Sequence, residues 1–134
     1  MTIILNARSI SKGKASGEAL LSKEPIGFLG GVDPETGVVI EKGHQLEGQC
    51  VAGRVLVFPN GKGSTVGSYV MLQLAKNNKA PTAIINISAE PIIVVGAIIS
   101  RIPMVDKAEN DIYAVLKNGQ KVEVDGTKGR IIIS

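Results

Sequence analysis

The sequence predicts an α/β fold in which a β-rich barrel or sandwich carries βαβ units on one side. Three observations lead there. The chain is 44% hydrophobic but only 3% aromatic, so its core must be built from Ile, Val, Leu and Ala, which suit strands and close packing of helix on sheet. The first fifty residues hold short β-type runs between glycine-rich turns. From Arg54 onward, apolar strand runs alternate with segments of helical period, which is the pattern of βαβ units. At 134 residues the chain is long enough for one domain with a core and too short for two ordinary ones, so residues 1–134 are read as a single domain.

Thr2 to Ala7 reads as the first strand, followed by β-type runs at Glu18 to Leu21 and Val38 to Glu41. Between them, Asp33-Pro34 and the following Gly37 mark successive tight turns. Arg54 to Phe58 is a buried-strand run ended by Pro59, Asn60 and Gly61. A helix follows, because Val66, Val70 and Leu74 recur at helical spacing, Tyr69, Met71, Leu72 and Ala75 widen the apolar face, and Lys76 to Lys79 close it. Ser64 or Thr65 is the natural N-cap.

Thr82 to Ile87 reads as the next strand. Ile92 to Ile99 is rich in β-branched residues, yet it reads as a helix because Pro91 suits a first helical turn and Ser88 can cap it. Ile102 to Asp106 is the strand that completes this second βαβ unit. Ile112 to Leu116 reads as a short helix and Asn118-Gly119 as a turn. Lys121 to Asp125 and Arg130 to Ile133 form a hairpin across Gly126 to Gly129.

Composition excludes several functions. Lys and Arg number 15 against 12 Asp and Glu, a formal +3, but they are scattered and rarely sit beside an aromatic ring, which argues against a nucleic-acid surface. The balance suits a phosphorylated or carboxylate substrate and equally an ordinary solvated surface. The single cysteine, Cys50, excludes an internal disulfide and by itself holds neither zinc nor an iron–sulfur cluster. MTIILNARSI lacks the pattern of a signal peptide, and the apolar run from Pro91 to Ser100 has about half the length of a membrane-spanning helix. A soluble, cytoplasmic protein is expected.

Gly61-Lys62-Gly63-Ser64-Thr65 links a strand directly to a helix, which aims unpaired N–H groups at whatever lies above the helix start. Gly61 and Gly63 allow close approach of a ligand, Ser64 and Thr65 add hydroxyls, and Lys62 adds positive charge. Two familiar phosphate loops do not fit. A P-loop has four residues between its glycines and then Lys, whereas here five separate Gly61 from Gly67 and Ser68 follows. The dinucleotide fingerprint is missed by one residue, Gly61, Gly63 and Gly67 reading GxGxxxG. From the residues alone, Ser64 is either a helix cap or the chemically active side chain. The only histidine, His44, lies in a separate turn and gives no sign of a Ser-His-Asp arrangement, so the chain is not expected to catalyse a reaction alone.

Three blocks carry a resemblance to a known family: SISKGKASGEALLSKEPIGFLGGVDPETGVVI from Ser9 to Ile40, VAGRVLVFPNGKGSTVGSYV from Val51 to Val70, and AEPIIVVGAIISRIPMVD from Ala89 to Asp106. Over nearly its whole length the chain resembles the small, swivelling subunit of the aconitase X type dehydratases. The resemblance implies a swivelling β/β/α barrel that closes over the active site of a separate large subunit, which carries the cysteines of a 4Fe-4S cluster. It implies that the open iron of that cluster acts as a Lewis acid on the leaving hydroxyl while a serine of the swivelling domain takes the proton next to the carboxylate. Ser64 matches that serine, and free N–H groups at the helix start would stabilise its alkoxide. Lys62 and the backbone of Gly63 and Thr65 are expected to hold the substrate carboxylate or phosphate, with Arg8 and Arg54 as weaker candidates whose expected role is surface solvation. The implied reaction is dehydration of 5-phosphomevalonate to an alkene acid that keeps the phosphate. A sister branch dehydrates cis-3-hydroxyproline, and a non-catalytic module that binds a phosphorylated metabolite is the reading from another class.

Overall fold

The computed structural model describes residues 2–134. Eight strands and three helices follow one another as β1 (Ile3–Asn6), β2 (Arg8–Ser11), β3 (Lys14–Leu21), β4 (Val55–Phe58), α1 (Gly67–Lys76), β5 (Ala83–Asn86), α2 (Pro91–Ile99), β6 (Met104–Asp106), α3 (Ile112–Val115), β7 (Lys121–Asp125) and β8 (Arg130–Ile133). The two βαβ units, β4-α1-β5 and β5-α2-β6, lie where the alternating pattern places them. The 121–133 hairpin forms as expected, with Val122 opposite Ile133 and Asp125 opposite Arg130.

All eight strands form one sheet in the order β1-β8-β7-β3-β4-β5-β6-β2. Strands β3 to β6 run parallel, whereas β1, β8, β7 and β3 pair antiparallel and β2 adds antiparallel to β6. The sheet turns within β3, whose first half, Lys14 to Glu18, pairs with β7 and whose last residues, Ala19 to Leu21, pair with β4. Alternate residues of the parallel strands serve two cores. Leu56, Phe58, Ile84 and Met104 pack against Val70, Met71, Leu74, Ile93 and Ala97 of the helices. Val55, Val57, Ala83, Ile85 and Val105 pack against Leu5, Val122, Val124, Ile131 and Ile133 of the curled antiparallel end. The result is a β/β/α layering with both faces of the parallel strands covered, as such strands require.

Sequence and structure differ at several points. The expected β/β/α barrel is not found as a closed sheet: β1 and β2 are the two ends of the sheet and do not pair, being linked along the chain through Ala7 instead. Strand β2 and the first half of β3 went unrecognised because their residues are largely polar and exposed or half-exposed. Val38 to Glu41 makes isolated bridges only, Val38 to Cys50 and Val39 to Val32, since Gly37, Gly43 and Gly48 take positive φ around it and end the pairing. Helix α2 is capped by Glu90, whose carboxylate accepts from the Ile92 and Ile93 N–H groups, and not by Ser88. Gly96 lets α2 approach α1, since a side chain there would strike the sulfur of Met71. Among the described residues, no helix is long and apolar enough to cross a membrane.

Candidate active site

The 61–68 loop leaves the carboxyl end of β4, at the edge of the parallel strands where α/β sheets commonly bind ligands. Its base is held from several sides. The Pro59 carbonyl accepts hydrogen bonds from the Ile87 and Ser88 N–H groups at 3.0 and 3.1 Å, and the Asn86 side chain donates to the Phe58 carbonyl at 3.0 Å. Ile26 donates to the Asn60 carbonyl at 3.3 Å and accepts from the Lys62 N–H at 3.1 Å. Gly61 is buried, and a side chain there would run into the Glu90 carboxylate and Ile93. Gly63 takes φ +88° in open space, the left-handed region in which glycine is unstrained.

Beyond this base, Lys62, Gly63, Ser64 and Thr65 are all exposed. Among the described residues, the N–H groups of Gly63, Ser64 and Thr65 donate to no group within the chain. Three consecutive free donors beside a left-handed glycine form the kind of concavity that binds an anion. The Ser64 hydroxyl oxygen accepts a hydrogen bond from the Val66 N–H at 3.1 Å.

Neither Ser64 nor Thr65 is the N-cap of α1. The helix begins at Gly67, Val66 occupies the cap position with no side-chain hydrogen bond, and residues 64–67 form a preceding turn in which the Gly67 N–H reaches the Ser64 carbonyl at 3.0 Å. Ser64 therefore projects ahead of the helix. The Thr65 carbonyl accepts from the Ser68 hydroxyl at 3.1 Å, which helps set that turn.

The Lys62 ammonium is engaged: it donates to Glu41 Oε2 at 2.9 Å. An exposed pair of this kind contributes about 0–1 kcal/mol to stability, so its importance lies in where it places the charge. Beside the loop, Thr65, Val66, Ser68, Tyr69, Pro91, Ile92 and Val95 line an open cavity of about 340 Å³. Val66, Tyr69 and Val95 leave 46%, 67% and 48% of their surface exposed around it.

Lys62, Gly63, Ser64 and Thr65 thus come together as expected, and the remaining candidates do not join them. Arg8 is no merely solvated side chain: its guanidinium grips buried Asp106 at 2.8 and 2.7 Å. Asp106 also accepts from the Ala89 N–H at 2.7 Å, which fixes the segment leading to Glu90. Arg54 precedes β4, at the opposite end of that strand from the loop, and donates to the Ala19 carbonyl at 3.3 Å. His44 is buried with both ring nitrogens occupied, Nδ1 accepting from the Leu46 N–H and Nε2 donating to the Pro25 carbonyl. Among the described residues, no three His, Cys, Asp or Glu side chains converge, and Cys50 lies against the Thr36 carbonyl.

Sequence reasoning missed Glu41 and Glu90. For Glu90 a signal was present, an acidic residue directly before a proline at a helix start. For Glu41 no local signal exists, since its partner is 21 residues away.

Comparison with known proteins extends this picture. The model of the aconitase X swivel domain matches residues 4–133. The phosphomevalonate dehydratase small subunit of Methanocella arvoryzae is 60% identical over 130 residues, covering 97% of this chain and 98% of that relative. The phosphomevalonate dehydratase small subunit of Methanosarcina acetivorans is 59% identical over 129 residues, covering 96% of this chain and 90% of the relative. The crystal structure of Thermococcus kodakaraensis aconitase X in its holo-form superimposes with a TM-score of 0.93 at 55% identity, covering 98% of each chain.

Proposed function

This chain belongs to the aconitase X swivel domain family, and on that premise we propose that it is the small subunit of a phosphomevalonate dehydratase, a hydro-lyase. The observation that carries this reading is the identity of 59–60% with subunits of that name over nearly the full length of both chains. A small subunit requires a larger partner. The β/β/α layering and the exposed loop support a swivelling domain that closes over the partner, with the apolar rim of Val66, Tyr69 and Val95 seated against it.

The iron–sulfur cluster is assigned to that partner, because among the described residues no three His, Cys, Asp or Glu side chains converge to hold it. What this chain supplies is the 61–68 loop. Ser64 is assigned as the proton acceptor, taking the proton from the carbon next to the substrate carboxylate. Its support is physical: the hydroxyl stands exposed and already accepts a hydrogen bond from the Val66 N–H. A preorganised donor of this type stabilises charge that develops on an oxygen. Lys62 and the free N–H groups of Gly63 and Thr65 are assigned to the substrate's anionic groups, for which an ammonium and a row of backbone donors are suited.

The test is to co-express the chain with its large subunit and measure loss of water from 5-phosphomevalonate and from cis-3-hydroxyproline. Turnover of the first, and none of the second, is expected. Turnover of hydroxyproline alone would overturn the substrate assignment.

A further inference from the structure

We infer that Glu41 is the positioning residue that fixes the Lys62 ammonium for the anionic group of the substrate. This rests on the assignment of Lys62 to substrate binding. The backbone of Lys62 is clamped first, its N–H held by the Ile26 carbonyl at 3.1 Å and its own carbonyl lying 2.8 Å from where a Cβ of Gly27 would stand. The same point on Gly27 is 3.3 Å from Lys62 Cγ, so the stem of the lysine lies down over a residue that has no side chain. At the far end of the turn, Glu41 Oε1 lies 3.7 Å from where a Cβ of Gly31 would stand, while Oε2 holds the ammonium at 2.9 Å. The lysine stem thus passes over Gly27, and the Glu41 carboxylate lies beside Gly31.

Glu41 itself stands on fixed backbone. The Ile40 N–H donates to the Gly31 carbonyl at 2.8 Å, and the Glu41 carbonyl accepts from the His44 N–H at 3.2 Å. A free lysine at the surface samples many rotamers and loses that freedom when an anion captures it. Here the pair with Glu41 favours one of them. An ammonium has three donors, so an anion can share Lys62 while Glu41 keeps its hold.

The experiment uses the assembled two-subunit enzyme with 5-phosphomevalonate and compares wild type, Glu41→Gln, Lys62→Met and the double variant. Glu41→Gln is expected to raise KM about 2- to 5-fold, the upper range for loss of one exposed ion pair, and to leave kcat within about twofold. In the Lys62→Met background the same change is expected to do nothing further, because its effect passes through the lysine. An equal rise in KM in both backgrounds would show that Glu41 acts by supporting the loop, and would overturn the inference. A fall in KM would also overturn it, by showing that Glu41 competes with the substrate. If Lys62→Met left KM unchanged with the subunits still assembled, the assignment of Lys62 would fail and Glu41 would fall with it.

Discussion

The carboxylate of Glu90 occupies the space that any side chain at position 61 would need. One group therefore does two things: it caps α2 through the Ile92 and Ile93 N–H groups, and it lies against the base of the 61–68 loop. The start of the second helix thereby sets the position of the loop ahead of the first.

Gly61→Ala tests this coupling, with Gly63→Ala as its contrast. At position 61 the added methyl meets Glu90 and Ile93, so overpacking should destabilise the fold by about 1–3 kcal/mol and displace the loop. At position 63 nothing lies within 4 Å, so the cost is backbone strain alone at φ +88°, about 1–2 kcal/mol. Denaturant unfolding of both variants measures the two costs. Only the first should weaken the α2 cap, read as faster amide exchange at Ile92 and Ile93.

Asp106 makes acid stability pH-dependent in a defined direction. Burial would raise its pKa, but the Arg8 guanidinium and the Ala89 N–H together hold it below the ordinary carboxylate value. A depressed folded pKa contributes stability that is fully present above the unfolded value of about 3.9 and is lost as pH falls through the folded one. The Tm gap between wild type and Asp106→Asn should therefore be constant from pH 7 to about pH 5 and should narrow below about 3.9. A gap that stayed constant through the acid range would show that the ionised carboxylate is not the stabilising species.

Seating of the partner on the apolar rim predicts that Tyr69→Asp separates folding from assembly. Tyr69 is 67% exposed, so the thermal stability of the small subunit should change by no more than about 0.5 kcal/mol. Association with the large subunit should weaken at least about tenfold, as for truncation of an aromatic anchor. Titration of one subunit into the other measures this.

Much of the fold could be read from local pattern. Val55 to Phe58 is fully buried on both faces, so it announces itself as an uninterrupted apolar run, and Val70 and Leu74 fall on the inward side of α1 as their spacing requires. The loop itself was placed by Pro59, Gly61 and Gly63. What escaped was set by distant partners. The helix cap is Val66, not Ser64 or Thr65, because a turn built on the Ser64 and Thr65 carbonyls precedes the helix. Arg8 looked like a solvated cation because Asp106 lies 98 residues further on, and only the β2–β6 pairing brings the two together. Lys62 read as a free charge for the same reason, its Glu41 partner standing on a segment that forms no regular strand.

Ser64→Ala in the assembled enzyme tests the assignment of the proton acceptor most directly. The variant removes one exposed hydroxyl, with the hydrogen bond it accepts from the Val66 N–H, and leaves the Gly67 N–H to Ser64 carbonyl bond and the Lys62–Glu41 pair in place. Turnover of 5-phosphomevalonate should fall by about 10²- to 10⁴-fold, the range for loss of a positioned proton-transfer group, with subunit assembly, absorbance of the cluster proposed for the partner and substrate affinity retained. Near-normal turnover with those three properties intact would contradict a role for Ser64 as the base.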